Sequence, residues 1–466
     1  MRDDARAEEV MRALSYGLLL LAATVTGCAS TTPTRATADV RDDVRARIGH
    51  DLRWDRQTKE DDEAKKAIDA LLARELGVDA AVQIALLASP RVRALLEELA
   101  IGQADLVQAG LLSNPVFGFG KTAWDGEHIV PNLFASVEQS FLDVVTLPMK
   151  KRVAATELEA TKLRVAFEVI DLAADVRRAY YEAQAAEQTA AVSTLLNEAS
   201  QTAAELARRQ HAAGNMNDLA LSSELALAAD QALALRRAVT DAAVARTELD
   251  KHMGVWGPRT AWKLPRRLPD LPPEEPSLEH LEARAVGERL DLAAGRRSLQ
   301  ALTSAISLAK TTRWFGKVDV AVEAGRLRET RRYSFGPSVA LEIPLFDQRQ
   351  GAIARLEAMA RRTDDELQAL AVDVRADVRA GRAKLVAARA TVSDYTRTII
   401  PLREDIVRYS QQQYDAMLLG VYQLLQARQA EFTAYTDSIA ALRDYWIARS
   451  ELERIVGSRL TPNNPR

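Results

Sequence analysis

The stretch from residue 149 to residue 213 contains neither proline nor glycine, the two residues that most often interrupt a helix. An α-helix rises about 1.5 Å per residue, so an unbroken helix here would approach ~100 Å, which no compact domain contains. Residues 215–253 and 421–456 are also free of both residues. The chain is therefore predicted to form long packed helices.

An apolar stripe near the C-terminus has the seven-residue spacings typical of a coiled-coil seam. The stripe consists of Leu425, Phe432, Tyr435, Ile439, Leu442 and Trp446. On its own this pattern leaves open a plain antiparallel coiled coil.

Four short segments alternate between apolar and polar residues, which is the pattern of amphipathic strands. They lie at 116–120, 133–138, 318–323 and 338–345, and the last runs almost directly into a helix-forming stretch in GPSVALEIPLFDQRQGAIARLEA (336–358). Four strands cannot close a barrel, and an open sheet edge in lipid leaves backbone groups unpaired. The strands therefore form either a small soluble sheet or one share of a barrel built by several chains.

The chain is predicted to be duplicated. The apolar stripe Val165, Val169, Leu172, Val176 recurs 202 residues later as Leu367, Ala371, Val374, Val378. The triplet at 141–143 (FLD) is echoed at 345–347 (LFD). Each half of about 200 residues reads as helix, two strands, long helix, turn and long helix, with the leading helices predicted over 78–112 and 290–312.

The N-terminus resembles a bacterial lipoprotein signal. An apolar run from Leu18 to Ala23 precedes Val-Thr-Gly-Cys, which ends at Cys28, the only cysteine in the chain. The alternative is an ordinary secretory signal with a chance cysteine. We expect Cys28 to become the lipid-bearing N-terminus, with translation starting at Met1 or at Met11.

The composition and the remaining motifs give no sign of catalysis. A net charge of -3 gives no reason to expect nucleic acid, and the five histidines are scattered without a metal-ligand spacing. Gly120-Lys121-Thr122 lacks the earlier glycine and the following helix of a phosphate-binding loop. We expect no enzyme activity, no metal site and no cofactor other than the covalent lipid on Cys28.

Three segments in order resemble the TolC-like outer-membrane efflux proteins, in their lipoprotein branch. They are LLSNPVFGFG, GPSVALEIPLFDQRQGAIARLEA and IIPLREDIVRYSQQQYDAMLLGVYQLLQARQ, and the resemblance covers roughly residues 78–457. It implies a mainly α protein with a small β part, whose duplicated long-helix hairpins form a periplasmic α-barrel. Four strands per chain would contribute to a trimeric 12-stranded transmembrane β-barrel.

This resemblance sets the predicted domains. They are a signal peptide with lipobox (1–28), an N-terminal periplasmic segment (29–77), a first repeat (78–257), a proline-rich linker (258–276), a second repeat (277–457) and a C-terminal tail (458–466).

The predicted function is an exit duct of a tripartite efflux system, anchored in the bacterial outer membrane and extending into the periplasm. It would conduct drugs or metal ions passively from a periplasmic adaptor and an inner-membrane pump, and its partners would be those two proteins, outer-membrane lipid and two further copies of the chain. The alternatives are a periplasmic adaptor or a structural coiled-coil envelope lipoprotein. An adaptor has one helical hairpin and many short strands, whereas two hairpins and four strands are predicted here.

The two turns between long helices are the predicted adaptor-docking tips. Gly214 and Asn215 mark the first tip, and an offset of about 203 places the second at Met417, with the nearest glycine at Gly420. Tyr414, Asp415 and Asp218 are the candidates for closing the pore or lining its mouth.

Overall fold

The computed structural model describes residues 32–53, 59–122, 132–275, 277–326 and 333–460. Four helices open the described chain: α1 (Thr34–Ile48), α2 (Lys59–Leu72), α3 (Val78–Ala88) and α4 (Pro90–Ala109). The single helix predicted over 78–112 is wrong, because the chain breaks it between Ala88 and Pro90 and ends it at Ala109. Pro90 is the first residue of α4, where its missing N–H leaves no helical hydrogen bond unmade.

Four strands form one antiparallel sheet in the order β1 (Val116–Thr122), β2 (Asn132–Ser140), β3 (Val318–Arg326) and β4 (Tyr333–Leu341). β1, β2 and β3 lie where the alternating patterns predict them, whereas β4 begins before the predicted segment 338–345 and ends at Leu341, so Ile343 and Leu345 lie in the connection that contains Pro344. Each strand pairs with its sequence neighbour, so β2 and β3 join the two halves of the chain within the sheet.

The remaining elements are mostly long helices. They are α5 (Phe141–Ala212), α6 (Asp218–Met253), α7 (Leu281–Glu288), α8 (Leu290–Thr312), α9 (Gln350–Asp394), α10 (Ile400–Asp415) and α11 (Val421–Val456), with a π-helical segment, Tyr395–Ile399, between α9 and α10. Among the described residues, no helix is both long enough and apolar enough to cross a membrane.

The chain divides into two compact units. The strand unit holds the described parts of Met1–Thr34, Ala100–Ala155 and Leu308–Arg349, and therefore all four strands. The helical unit holds the described parts of Arg35–Leu99, Thr156–Ser307 and Gln350–Arg466.

The helical unit has a core built on the predicted stripes. Val165, Val169, Leu172 and Val176 of α5 are all buried, together with residues of α1, α3 and α4. The second stripe is buried at Val374 and Val378, while Leu367 and Ala371 are partly buried beside the same cluster. The helical spacing of both stripes is what places them against neighbouring helices.

The proline-rich segment 258–275 packs against the long helices. The side chains of Trp262, Leu264 and Leu268 are buried. Gln184 Nε2 on α5 donates to the carbonyls of Pro265 (3.1 Å) and Arg267 (2.8 Å). A proline-rich chain has few N–H groups of its own, so its free carbonyls accept hydrogen bonds from helix side chains instead.

Three ion pairs join α5 to α11: Asp171–Arg454 (2.8 Å), Arg177–Glu453 (3.1 Å) and Arg178–Glu451 (3.0 Å). Burial raises the pKa of Glu453, whereas the hydrogen bond from Arg454 lowers the pKa of Glu451. Removing one partner of a buried pair such as Arg177–Glu453 leaves an uncompensated charge, which costs about 3–5 kcal/mol.

Residues near the start of the helical unit also form hydrogen bonds with residues near its C-terminal end. Arg47 Nη1 of α1 donates to the Gly457 carbonyl (3.1 Å), and Arg459 Nη2 donates to Asp79 Oδ1 (2.9 Å). The His50 ring nitrogen lies 3.2 Å from the same Asp79 oxygen, and this hydrogen bond lowers the pKa of Asp79 to about 2.

Candidate functional site

The sheet has one face, the apolar face, that is covered with hydrophobic side chains. Residues paired directly across antiparallel strands share a face, so the rows Phe117–Val137–Val322–Pro337 and Phe119–Ala135–Ala324–Phe335 lie side by side. Val320 and Val339 form a third row together with Gln139 of β2, and Lys121 lies at the other end of the same face. These side chains are exposed: 82% of Phe119 and 66% of Val339 face solvent in the single chain.

The opposite face, the polar face, carries the carboxylates of Glu138, Asp319 and Glu323. Serines, glycines and alanines lie between them, Val116 and Phe134 also lie on this face, and Ser338 Oγ donates to Glu323 Oε1 (3.0 Å). Among the strand residues whose side chains are described, this face has no lysine or arginine. A sheet that is apolar on one side and polar on the other is typical of a barrel wall between lipid and water.

The two outer strands are unpaired on one side. Within the described residues, β1 pairs only with β2, and β4 pairs only with β3. Their outer backbone N–H and C=O groups are therefore available to a further strand.

The strands lead into the helices in two different ways. In the first half β2 ends at Ser140 and α5 begins at Phe141, so the predicted junction at 141–148 is already helical. Pro148 lies inside this helix, and Thr146 Oγ1 donates to the Leu142 carbonyl (2.9 Å) in the turn before it. In the second half β4 ends at Leu341 and α9 begins only at Gln350, after a connection that contains Pro344.

The first tip is turned by glycine. Gly214 has φ of +76°, the left-handed region that favours glycine, and Asn215 N donates to the Gln210 carbonyl (2.9 Å), the closing bond of a Schellman motif. Asn217 caps α6 by accepting from Ala220 N (2.8 Å). Asp218 Oδ1 lies 2.7 Å from His211 Nε2 across the turn.

The second tip has the same backbone bonds with other side chains. Met417 takes the left-handed conformation with φ of +60°, and Leu418 N donates to the Gln413 carbonyl (2.9 Å). Gly420 precedes α11 with φ of −75° and makes no side-chain cap. Met417 is 94% exposed.

Two acidic groups lie on the helices that lead to the tips. Glu224 of α6 is buried, and burial raises its pKa, although Arg428 of α11 opposes the rise. Tyr435 donates to Glu404 Oε1 (2.5 Å), which raises the pKa of Tyr435 to about 12. Tyr435 therefore keeps its proton, and its hydrogen bond to Glu404, to higher pH than a tyrosine in water does.

Solved structures of outer-membrane channels are similar to this chain over most of its length. The outer membrane protein VceC from Vibrio cholerae matches with a TM-score of 0.69 and 15% identity, over 82% of this chain and 97% of that one. CusC matches with a TM-score of 0.68 and 14% identity, over 82% and 92%. The fold is that of the TolC-like outer-membrane channels.

One known protein is also similar to this chain in amino-acid sequence. The cobalt-zinc-cadmium resistance protein CzcC of Cupriavidus metallidurans is 23% identical over 287 residues, which are 62% of this chain and 68% of that protein. No protein-family model matches the chain.

The TolC-like fold places the predicted site residues as follows. Gly214, Asn215 and Asp218 lie together at the first tip, and Tyr414, Asp415, Met417 and Gly420 lie together at the second. Asp415 Oδ1 accepts from Gln411 Nε2 (2.9 Å), and the Tyr414 carbonyl accepts from Met417 N (2.9 Å). Cys28 and the signal peptide lie outside the described residues.

The sequence analysis did not predict one contact at the first tip, the hydrogen bond between the His211 ring and Asp218. The spacing of seven residues across a turn was the available signal. At the second tip, the offset of about 203 residues placed the turn at Met417, which is the residue with positive φ.

Proposed function

We propose that this protein is the outer-membrane exit duct of a tripartite efflux system, which passively conducts drugs or metal ions from a periplasmic adaptor and an inner-membrane pump. The observation that carries the proposal is the four-stranded sheet with one exposed apolar face, one acidic face and two unpaired edges. The likeness to CusC and to a cobalt-zinc-cadmium resistance protein supports the same role.

The sheet edges argue for three chains in one barrel. Each unpaired backbone group in lipid costs several kcal/mol, so a four-stranded sheet cannot remain open in a membrane. The β4 edge of one chain can pair with the β1 edge of the next, and three chains then close a 12-stranded barrel. The apolar face would meet lipid, and Glu138, Asp319 and Glu323 would line the lumen.

The helices would form the periplasmic part of the duct. The order helix, helix, strand pair, long helix, turn, long helix recurs after the proline-rich linker, which supports duplicated hairpins. We infer that the two tips dock the adaptor and that Tyr414, Asp415 and Asp218 lie at the pore mouth.

A lipid on Cys28 would add an anchor independent of the barrel. Mass spectrometry of the mature N-terminus should find acylated Cys28. An unmodified terminus at another residue would contradict the lipoprotein assignment.

The decisive experiment compares two neighbouring substitutions in β3. Val320→Asp places a carboxylate on the apolar face of every chain, where contact with lipid is unfavourable, so trimers and conductance should be lost. Asp319→Ser changes the polar face and should leave trimers intact. Crosslinking in mild detergent and single-channel recording in planar bilayers measure both.

The opposite result would exclude the duct. Stable monomers without conductance from the native chain would indicate an adaptor or a structural envelope lipoprotein. Equal assembly of the Val320→Asp and Asp319→Ser variants would show that the apolar face does not meet lipid.

A further inference from the structure

An open groove of about 580 Å³ lies between the end of α2 and the turn that follows α6. Its walls include Asp69 and Leu72 of α2 and Trp256, Pro258, Arg259 and Trp262 of the segment after α6. A groove of this volume accommodates a ligand the size of a short oligomer. All of these residues belong to the helical unit.

The groove presents an indole ring to solvent. Trp256 is 82% exposed, although burying an aromatic side chain is normally favourable. The chain turns sharply on both sides of it, because Gly254 (φ +72°) and Gly257 (φ +63°) both adopt left-handed conformations. A Cβ on Gly254 would lie 2.6 Å from the Ser89 backbone, so this turn tolerates only glycine there.

The second indole is held rigidly in the groove wall. Trp262 is only 2% exposed, and its Nε1 donates to Asp250 Oδ1 (2.6 Å). The Arg246 guanidinium stacks 3.7 Å from the centre of its ring. The groove is therefore formed before any ligand arrives, which lowers the entropy lost on binding.

An ion pair supplies hydrogen-bonding groups beside the exposed indole. Arg259 Nε lies 2.9 Å from Asp69 Oδ1, and the two side chains are 35% and 59% exposed. An ion pair so open to solvent contributes little to the free energy of unfolding, so stability alone does not account for these two residues. The carboxylate retains acceptor sites and the guanidinium retains donors for a ligand.

We propose that this groove binds a glycan, specifically the N-acetylated sugar polymer of the bacterial cell wall. A sugar ring offers a C–H face that stacks on an indole, and its hydroxyl and amide groups match a neighbouring carboxylate and guanidinium. An apolar peptide segment would fit Trp256 but would make no use of the remaining acceptor sites of Asp69 and the remaining donors of Arg259. The identity of the polymer rests on the proposed function, which places the helical unit in the periplasm.

The test uses the full-length protein in detergent with two probes, purified cell-wall sacculi and tetra-N-acetylglucosamine. The native protein should sediment with sacculi and should bind the tetramer with a change in tryptophan fluorescence. Trp256→Ala should weaken both by about tenfold, as expected for losing one stacked aromatic contact. Asp69→Asn should weaken them less, and Trp256→Phe should restore part of the binding.

Trp314→Ala is the matched control, because Trp314 is an exposed tryptophan of the strand unit. It should bind sacculi like the native protein. Channel conductance is recorded on the same preparations, so that loss of glycan binding with unchanged conductance supports the proposal independently of the duct function. Failure of the native chain to bind either probe, or equal binding by the Trp256→Ala and native proteins, would overturn it.

Discussion

The two helix tips make the same backbone turn with different residues at the left-handed and cap positions. Both close with a Schellman hydrogen bond, from Asn215 to Gln210 in the first and from Leu418 to Gln413 in the second, at an offset of 203 residues. The first tip places glycine at the left-handed position and asparagine at the helix cap. The second places methionine and glycine at those positions.

The difference shows where each turn obtains its stability. At the first tip, local residue preferences and backbone geometry agree. At the second, a left-handed methionine costs about 1–2 kcal/mol, and the packing of α10 and α11 must hold the turn in place. The second hairpin is therefore the more strained of the two.

A second irregularity lies in the same hairpin. The π-helical segment Tyr395–Ile399 comes just before Pro401, whose ring cannot donate a helical hydrogen bond. The first hairpin has α5 and α6 without such a segment in their described residues. Local irregularity is thus concentrated in the second hairpin, where π-segments often mark functional positions.

The largest expected effect tests what the tips share. The double variant Gly214→Trp, Gly420→Trp should abolish export while trimer level and membrane location stay unchanged, because both positions are exposed and a bulky ring would obstruct docking. Export is measured as resistance or substrate efflux in cells. Gly351→Trp is the control, since a Cβ there meets open space in the first turn of α9. Normal efflux by the double variant would remove the tips from the docking surface.

An effect of intermediate size is expected at the helix caps, where only the first tip has a side-chain hydrogen bond. Asn217→Ala removes the acceptor of the Ala220 N–H and should destabilise the first tip by about 1 kcal/mol. Hydrogen exchange of the Ala220 amide should accelerate accordingly. Gly420→Ala alters the equivalent cap, which has no side-chain bond, and should have a smaller effect. Equal effects at the two caps would contradict the comparison.

The smallest effect tests the strain itself. Met417→Gly should stabilise the second tip by about 0.5 kcal/mol, because relief of the left-handed strain exceeds the added entropy of unfolded glycine. Slower hydrogen exchange near Leu418 would report it. Met216→Gly is the control at the first tip, since Met216 does not have a positive φ. A loss of stability in Met417→Gly would show that the turn is unstrained.

The sequence predicted features that depend on local pattern. The bounds of α8, Leu290–Thr312, match the prediction, and β1, β2 and β3 occur where alternation indicated them, whereas β4 is displaced toward the N-terminus and ends at Leu341. Period-2 alternation and breaker-free stretches are properties of neighbouring residues, so they are visible in the chain itself.

Features that depend on distant residues were not predictable. The break before Pro90 has a local cause in that proline, but the close approach of Gly254 to the backbone of Ser89 depends on residues far apart in the chain. The groove around Trp256 forms where α2 lies beside the turn after α6, and no local sequence motif predicts that contact. The direct passage from Ser140 into α5 was obscured by Pro148, which the helix accommodates.

The contacts of α1 and α5 with the C-terminal end of α11 also constrain the order in which the chain folds. Arg177 and Glu453 are separated by 276 positions, and Arg47 and Gly457 by 410. Contacts of such long range form late, because the intervening chain must first be brought together. During synthesis the N-terminal helices are therefore made long before the C-terminal residues that they contact. A chain truncated before residue 451 would lack the groups that bind Arg47 and Arg177.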